Sequence, residues 1–259
     1  MTDFLNITTI QSAIIWEDIE ANLAMFSKKI GGLSNQTDLV ILPEMFTTGF
    51  SMNAAPLAEE MNGKTVAWMK EEAASLGAAI AGSFIVKDGR KFFNRLVWMF
   101  PDGHFETYDK RHLFKLADEH KTYSAGNRKQ VVNWKGWKIC PQICYDLRFP
   151  VWSRNTEGYD LLIYIASWPE RRSSHWKQLL IARAIENQSY VIGVNRVGTD
   201  GKNFSYTGDT SVIDYSGKVL YRVSETEDIF TTTLSHQALS QYREVLPFLA
   251  DRDGFEIES

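Results

Sequence analysis

An α/β fold built on two mixed sheets is what this sequence predicts, and three observations predict it. Apolar strand-like runs alternate with amphipathic helical stretches in both halves of the chain, and each half then passes into strands joined by tight glycine turns. No Pro/Ser-rich or low-complexity run divides the 259 residues, which suits one domain spanning 1–259 with a short polar C-terminal tail from about 247.

Taken in order, "FLNITTIQSAI" reads as a first strand, and Ile19, Leu23, Phe26 and Ile30 mark one helical face that ends at Gly31-Gly32. "TDLVILPE" is a short buried strand. Val66, Met69, Ala73 and Leu76 mark a second helix, closed by Gly77, before the strand "AAIAGSFIV". Turns at Asp88-Gly89 and Asp102-Gly103 then signal consecutive antiparallel hairpins through "NRLVWMF" and "FETYDK". After "VVNWKGWKICPQIC" the alternation resumes with a helix near 150–157, the strand "DLLIYIAS", a helix from about Ser174 to Asn187 with Ser174 as its N-cap, and the strand "SYVIGVN". "TSVIDYSGKVLYRV" is a further hairpin whose glycine turn echoes "WMFPDGHFETYDK", a hint of two related halves. Two such halves would pack as a sandwich, with sheets in the middle and helices outside.

Composition narrows the function classes. With 44% hydrophobic and 23% charged residues the chain can bury a large core. A net charge of -4 offers no basic field for nucleic acid, and there is no stripe of Lys/Arg with interleaved aromatics. The start of the chain lacks a basic cluster and an apolar h-region, and no run approaches a membrane span, so neither a nucleic-acid nor a membrane partner is expected and the expected location is cytoplasmic.

The two cysteines lie in "WKICPQICYDLRFPVW". If 137–144 is a strand, Cys140 and Cys144 are roughly 13 Å apart, beyond the roughly 7 Å limit for a disulfide. A zinc site needs about four ligands, and the five histidines are scattered, so no metal is expected. Cys140 reads as a buried small hydrophobe. Cys144 stands where the apolar run meets a turn.

Strand ends are where α/β folds place reactive groups, and three carry chemistry: Glu44 in "LVILPEMFTTGF", Lys110 in "FETYDKRHLF" and Cys144 in "KICPQICYDLRFP". Singly, Glu44 reads as well as a capping or solvated carboxylate, and Lys110 as a surface lysine. Thiolate chemistry favours a cysteine at a strand-to-turn junction over one in mid-strand.

Together these segments resemble the three signature segments of the nitrilase, or carbon-nitrogen hydrolase, superfamily, in its order and across nearly the whole chain. "CYDLRFPVWSRN" and "SWPERRSSHWKQLLIARAIENQSYVIGVNRVG" look most like the omega-amidases that hydrolyse 2-oxoglutaramate. The resemblance implies a four-layer αββα sandwich, a homodimer, no cofactor, and a small-molecule amide as substrate. It also implies that Cys144 is the nucleophile, Glu44 the general base, Lys110 the third member of a triad and Glu119, in "DEHKTYSAGN", a second glutamate that orients the lysine. Where many relatives carry Pro before the following Gly, this chain has Ala125. Glu119 also reads as a surface acid among Asp118 and Lys121.

The chemistry fits those roles. A soft nucleophile that forms a thioester splits one hard amide hydrolysis into two easier steps. Lys110 would favour the thiolate, Glu44 would take its proton, and Lys110 with the Tyr145 backbone N–H would meet the oxyanion. Other pocket candidates are Trp168 and Pro169 behind the strand "DLLIYIAS", with Phe46 and Phe114 beside the triad segments, although aromatic core packing is the commoner fate. Arg148 either braces the turn against Asp146 or another carboxylate, which is the reading favoured here, or faces a substrate carboxylate. Arg171 and Arg172 either supply positive charge to an acidic substrate or are solvated. Carbamoylase and nitrilase activities use the same triad, and a non-catalytic binding protein would keep the fold without turnover.

Overall fold

The computed structural model describes residues 2–33 and 37–257. Thirteen strands run along them: β1 Phe4–Gln11, β2 Leu39–Ile41, β3 Ala79–Asp88, β4 Lys91–Met99, β5 Phe105–Asp109, β6 Val132–Trp134, β7 Trp137–Ile143, β8 Leu161–Ala166, β9 Tyr190–Asn195, β10 Val197–Thr199, β11 Ser205–Ile213, β12 Val219–Ser224 and β13 Asp228–Ser235. They form two sheets, one in the order β13-β1-β2-β3-β4-β5 and the other β10-β11-β9-β8-β7-β6, with β12 also paired to β11.

Each sheet repeats one plan. β1, β2 and β3 are parallel and lead into antiparallel β4 and β5. β7, β8 and β9 are parallel and lead into antiparallel β11 and β12. The two glycine hairpins that resemble each other in sequence therefore occupy equivalent places in the two sheets. Parallel strands buried on both faces need near-continuous apolar runs, and Leu161–Ala166 is such a run, buried at every position.

The sheets face each other across one core holding Ile7, Ile41 and Trp98 from the first sheet and Ile139, Ile163 and Ile192 from the second. On the outer side of the first sheet, helices Ile19–Gly31 and Lys64–Leu76 bury Phe26, Ile30, Val66 and Met69. On the outer side of the second, helix Ser173–Asn187 buries Trp176, Leu180 and Ala184. This is the four-layer αββα arrangement.

Local signals explain most boundaries. The carboxylate of Asp18 accepts the Ala21 N–H and caps the first helix. Gly77, at φ 67, ends the second in the left-handed region that favours glycine. Two expectations about helices need correction. The helix near 150–157 is a single turn, Pro150–Ser153. Ser174 does not cap its helix, which begins at Ser173, whose hydroxyl donates to Asp209 at 2.6 Å. β13 and the helix His236–Val245 have no counterpart in the sequence reading. β13 alternates Phe230, Thr232 and Leu234 with its other face and completes the first sheet against β1, while Ser235 caps the helix by accepting from Ala238. The segment from about 247 is not uniformly polar: it exposes Phe248, Phe255 and Ile257.

Among the described residues no helix is long and apolar enough to cross a membrane.

Candidate active site

Lys110 and Cys144 directly follow strands β5 and β7, Glu44 comes shortly after β2, and the structure brings the three together. β5 ends at Asp109, which the Arg95 guanidinium holds at 2.7 Å, and Lys110 comes next. Its backbone is tied on both sides, donating to Asn94 O at 3.0 Å and accepting from Gly126 N at 2.9 Å. Gly126 can come this close only without a side chain, since a Cβ there would stand 2.2 Å from Asp109 O. Beyond β2, the Met45 N–H donates to Ser83 Oγ at 2.9 Å, fixing the turn that carries Glu44.

β7 ends at Ile143, and Cys144 opens a short 3-10 turn, Cys144–Arg148. Cys144 has φ 44, a left-handed conformation costly for a residue with a Cβ. The turn is held by Asp146, whose carboxylate accepts the Ile143 N–H at 3.1 Å, the Tyr108 hydroxyl at 2.7 Å and the His112 N–H at 2.9 Å. Strain of this kind persists where surrounding bonds over-determine it, and it lifts the sulfur out of the strand.

The Lys110 ammonium sits between two carboxylates. It donates to Glu44 Oε1 at 2.8 Å and to Glu119 Oε1 and Oε2 at 2.9 and 3.0 Å. Glu44 accepts further bonds from Asn94 Nδ2 and from the Ser167 N–H, both at 2.8 Å, and all three charged side chains are buried. Burial alone would lower the Lys110 pKa, but Glu119, Glu44 and Cys144 outweigh it and hold the group well above its ordinary value. Burial pushes the Glu119 carboxyl up, while Lys110 pulls it down. The Cys144 thiol is also pushed well up, first by desolvation and then by the Glu44 carboxylate, against the opposing pull of Lys110. Lys110 thus pulls toward the thiolate, the direction expected of an ammonium beside the sulfur, but burial and Glu44 outweigh it.

Cys144 and Lys110 line one cavity of about 160 Å³, together with Phe50, Phe114, Tyr145, Arg148, Ser167, Trp168, Pro169, Arg171 and Arg172. Among the described residues no grouping of three or more His, Cys, Asp and Glu is disposed to hold a metal ion.

Most of the sequence candidates meet here. Glu119 is fully buried, whereas Asp118 and Lys121 are exposed and pair with each other at 3.0 Å, so the surface-acid alternative fits the neighbours and not Glu119. Arg148 does not brace the turn against Asp146. Its guanidinium lies 4.8 Å over the Trp168 ring and donates to His175 Nδ1 at 3.0 Å. Phe46 is corrected: it is buried in the outer core, 5.6 Å from the rings of both Phe26 and Trp68, and does not line the cavity. Phe50, four residues on, does, with its ring 5.0 Å from Lys110 Nζ. Asn94, Ser167, Asp200, Tyr206 and the Asp146 network were missed. A lone Asn in the strand "KFFNRLVWM" and the residue after "LLIYIA" were the available signals.

The comparisons agree with this geometry. Residues 6–244 match the carbon-nitrogen hydrolase family, and the chain belongs to it. The chain is 46% identical to omega-amidase YafV of Escherichia coli K12 over 98% of each protein, and 37% identical to the 2-oxoglutaramate amidase of Bacillus subtilis over 84% of this chain and 86% of that protein. Among solved structures it is similar to XC1258 from Xanthomonas campestris, a CN-hydrolase superfamily protein with an arsenic adduct in its active site, at 46% identity and TM-score 0.97 over 99% and 100% of the two chains. This protein is thus an enzyme that hydrolyses carbon–nitrogen bonds.

Proposed function

We propose that the protein is an omega-amidase that releases ammonia from the terminal amide of a small dicarboxylate monoamide, such as 2-oxoglutaramate or 2-oxosuccinamate, through a thioester on Cys144. The observation that carries this reading is that Cys144 and Lys110 share one cavity while the buried Glu44 and Glu119 hold the Lys110 ammonium from behind it. At about 160 Å³ it is well below the roughly 300–1,000 Å³ of sites for drug-sized ligands, which favours a small acyl group. The names of the similar amidases support the substrate class.

In the first step Glu44 takes the Cys144 proton as the sulfur adds to the amide carbon. The oxyanion is met by the Lys110 ammonium and by the Tyr145 N–H, which lies in the first turn of a helix where amides lack intrahelical acceptors. Glu44 returns the proton to the amide nitrogen and ammonia leaves, so the thioester remains. In the second step Glu44 takes a proton from water as the oxygen attacks the thioester. The thiolate then departs, regains its proton from Glu44, and the carboxylic acid is released. Glu119 keeps Lys110 charged and in place throughout.

A cytoplasmic homodimer belongs to the same reading.

Ammonia release from a panel of amides, carbamoyl amino acids and nitriles tests the assignment, with intact-protein mass spectrometry to detect an acyl adduct on Cys144. Faster turnover of a nitrile or carbamoyl compound than of 2-oxoglutaramate would sink it. So would equal rates for the wild type and Cys144→Ala.

A further inference from the structure

The cavity that holds Cys144 carries more positive charge than its own acids can neutralise. Its lining includes Arg148, Arg171, Arg172 and Lys202 but one carboxylate, Asp200. That carboxylate is already engaged: Oδ1 accepts the Lys202 and Phe204 N–H groups at 2.8 and 3.0 Å, and Oδ2 accepts the Tyr206 hydroxyl at 2.8 Å. Elsewhere in the chain Arg95, Arg183 and Arg243 each pair with a carboxylate. Arg148 and Arg172 make no such pair among the described residues.

Aromatic faces hold them instead. The Arg148 guanidinium lies 4.8 Å over Trp168, and that of Arg172 lies 5.0 Å over Phe114. Trp168 links both, since its indole N–H donates to Arg172 O at 2.8 Å. His175 accepts from Arg148 at 3.0 Å, and because a guanidinium has only donors, that ring nitrogen must be unprotonated. A guanidinium stacked on a ring is fixed in direction while its N–H fork stays open to an anion. Arg171 differs, being exposed and stacked on the exposed Phe204 at the mouth.

Position along the turn sets the reach. Cys144 and Arg148 are the two ends of one 3-10 turn, so their Cα atoms are roughly 8 Å apart at about 2 Å of rise per residue. A short acyl chain on the sulfur would place its far end among these side chains.

We propose that Arg148 and Arg172 form a two-guanidinium clamp for the carboxylate at the far end of the substrate, and that their unneutralised charge disfavours amides carrying an ammonium there. The idea rests on the amidase reading, and it implies that these two residues make the enzyme favour 2-oxo acid amides over amino acid amides. Bidentate recognition of a carboxylate by a planar guanidinium is the strong form of this contact.

Two measurements on the full chain test it. The first compares kcat/KM for glutaramate, for uncharged pentanamide and for L-glutamine. The wild type should favour glutaramate over both, and Arg148→Gln and Arg172→Gln should each lower the glutaramate-to-pentanamide ratio by about 10- to 100-fold, as for loss of a charged hydrogen bond. Arg172→Lys, which keeps charge but not the fork, should fall between. A ratio near one in the wild type, or a ratio unmoved in both Gln variants, overturns the clamp. The second is calorimetric binding of glutarate, which needs no turnover. Glutarate should bind the wild type and weaken in each Gln variant by a similar factor, and failure to bind the wild type overturns the clamp as well. Should glutarate bind as expected while no amide releases ammonia, the amidase reading fails and the anion site stands.

Discussion

The Tyr108 hydroxyl donates to Asp146 Oδ2 at 2.7 Å, and this bond joins the strand that carries Lys110 to the turn that carries Cys144. The same hydroxyl accepts the Trp152 indole N–H at 2.9 Å, and Asp146 also takes the His112 N–H at 2.9 Å, so two segments from opposite sheets are clasped through one buried carboxylate. Replacing Asp146 by Ala would leave the buried Tyr108 hydroxyl and Ile143 N–H without their acceptor, at about 1–3 kcal/mol each. The Asp146→Ala protein should unfold at clearly lower denaturant and turn over slowly. Tyr108→Phe should show a smaller loss in the same direction. Wild-type stability and kcat in both variants would show that the clasp positions nothing.

Cys144 has a thiol raised above its ordinary value by burial and by Glu44. A raised value means that the thiolate forms only at higher pH than in a free cysteine, whose value is about 8.5. Alkylation of the free enzyme by iodoacetamide, followed by mass spectrometry, should therefore keep accelerating beyond about pH 9. A plateau below about pH 7 would mean that Lys110 wins over burial and that the resting enzyme holds a thiolate.

The Glu119 carboxylate does more than Glu44 to hold Lys110 charged, and it grips the ammonium through both oxygens. Glu119→Gln keeps the size but removes the charge. Lys110 should lose part of its upward shift and its fixed position, and kcat should fall by about 10- to 100-fold, the worth of a charge-assisted bond. Equal kcat in variant and wild type would return Glu119 to a purely local role in its loop.

Much of this was legible in the sequence, and what was not has physical reasons. The strand end at Ile143 follows from an apolar run that stops at a polar turn, and the strand ending at Asp109 from the Asp102-Gly103 hairpin turn before it, so the positions of Cys144 and Lys110 could be read directly. Their convergence could not, because it depends on two sheets stacking face to face. The strand Asp228–Ser235 was missed because its threonines dilute the apolar signal and its partner β1 lies at the other end of the chain. A brace to Asp146 is what the sequence suggests for Arg148, because that pairing is the shortest route along the chain. Tyr108 and His112 from a distant segment, with the nearby Ile143 N–H, already fill that carboxylate.

The same limit explains the choice between Phe46 and Phe50, and it can be tested. Both aromatics lie close behind Glu44 in the chain, and sequence alone does not say which turns inward. Phe46 is fully buried against Phe26 and Trp68, and a Cβ added at Gly82 would stand 2.9 Å from its ring, so the packing there is tight. Phe46→Ala should cost about 3–5 kcal/mol of stability, read by denaturant unfolding. Phe50 is partly exposed and faces the cavity beside Lys110, so Phe50→Ala should cost much less stability while raising KM. Should Phe46→Ala instead raise KM with stability intact, the aromatic wall of the cavity would have to be assigned to Phe46 after all.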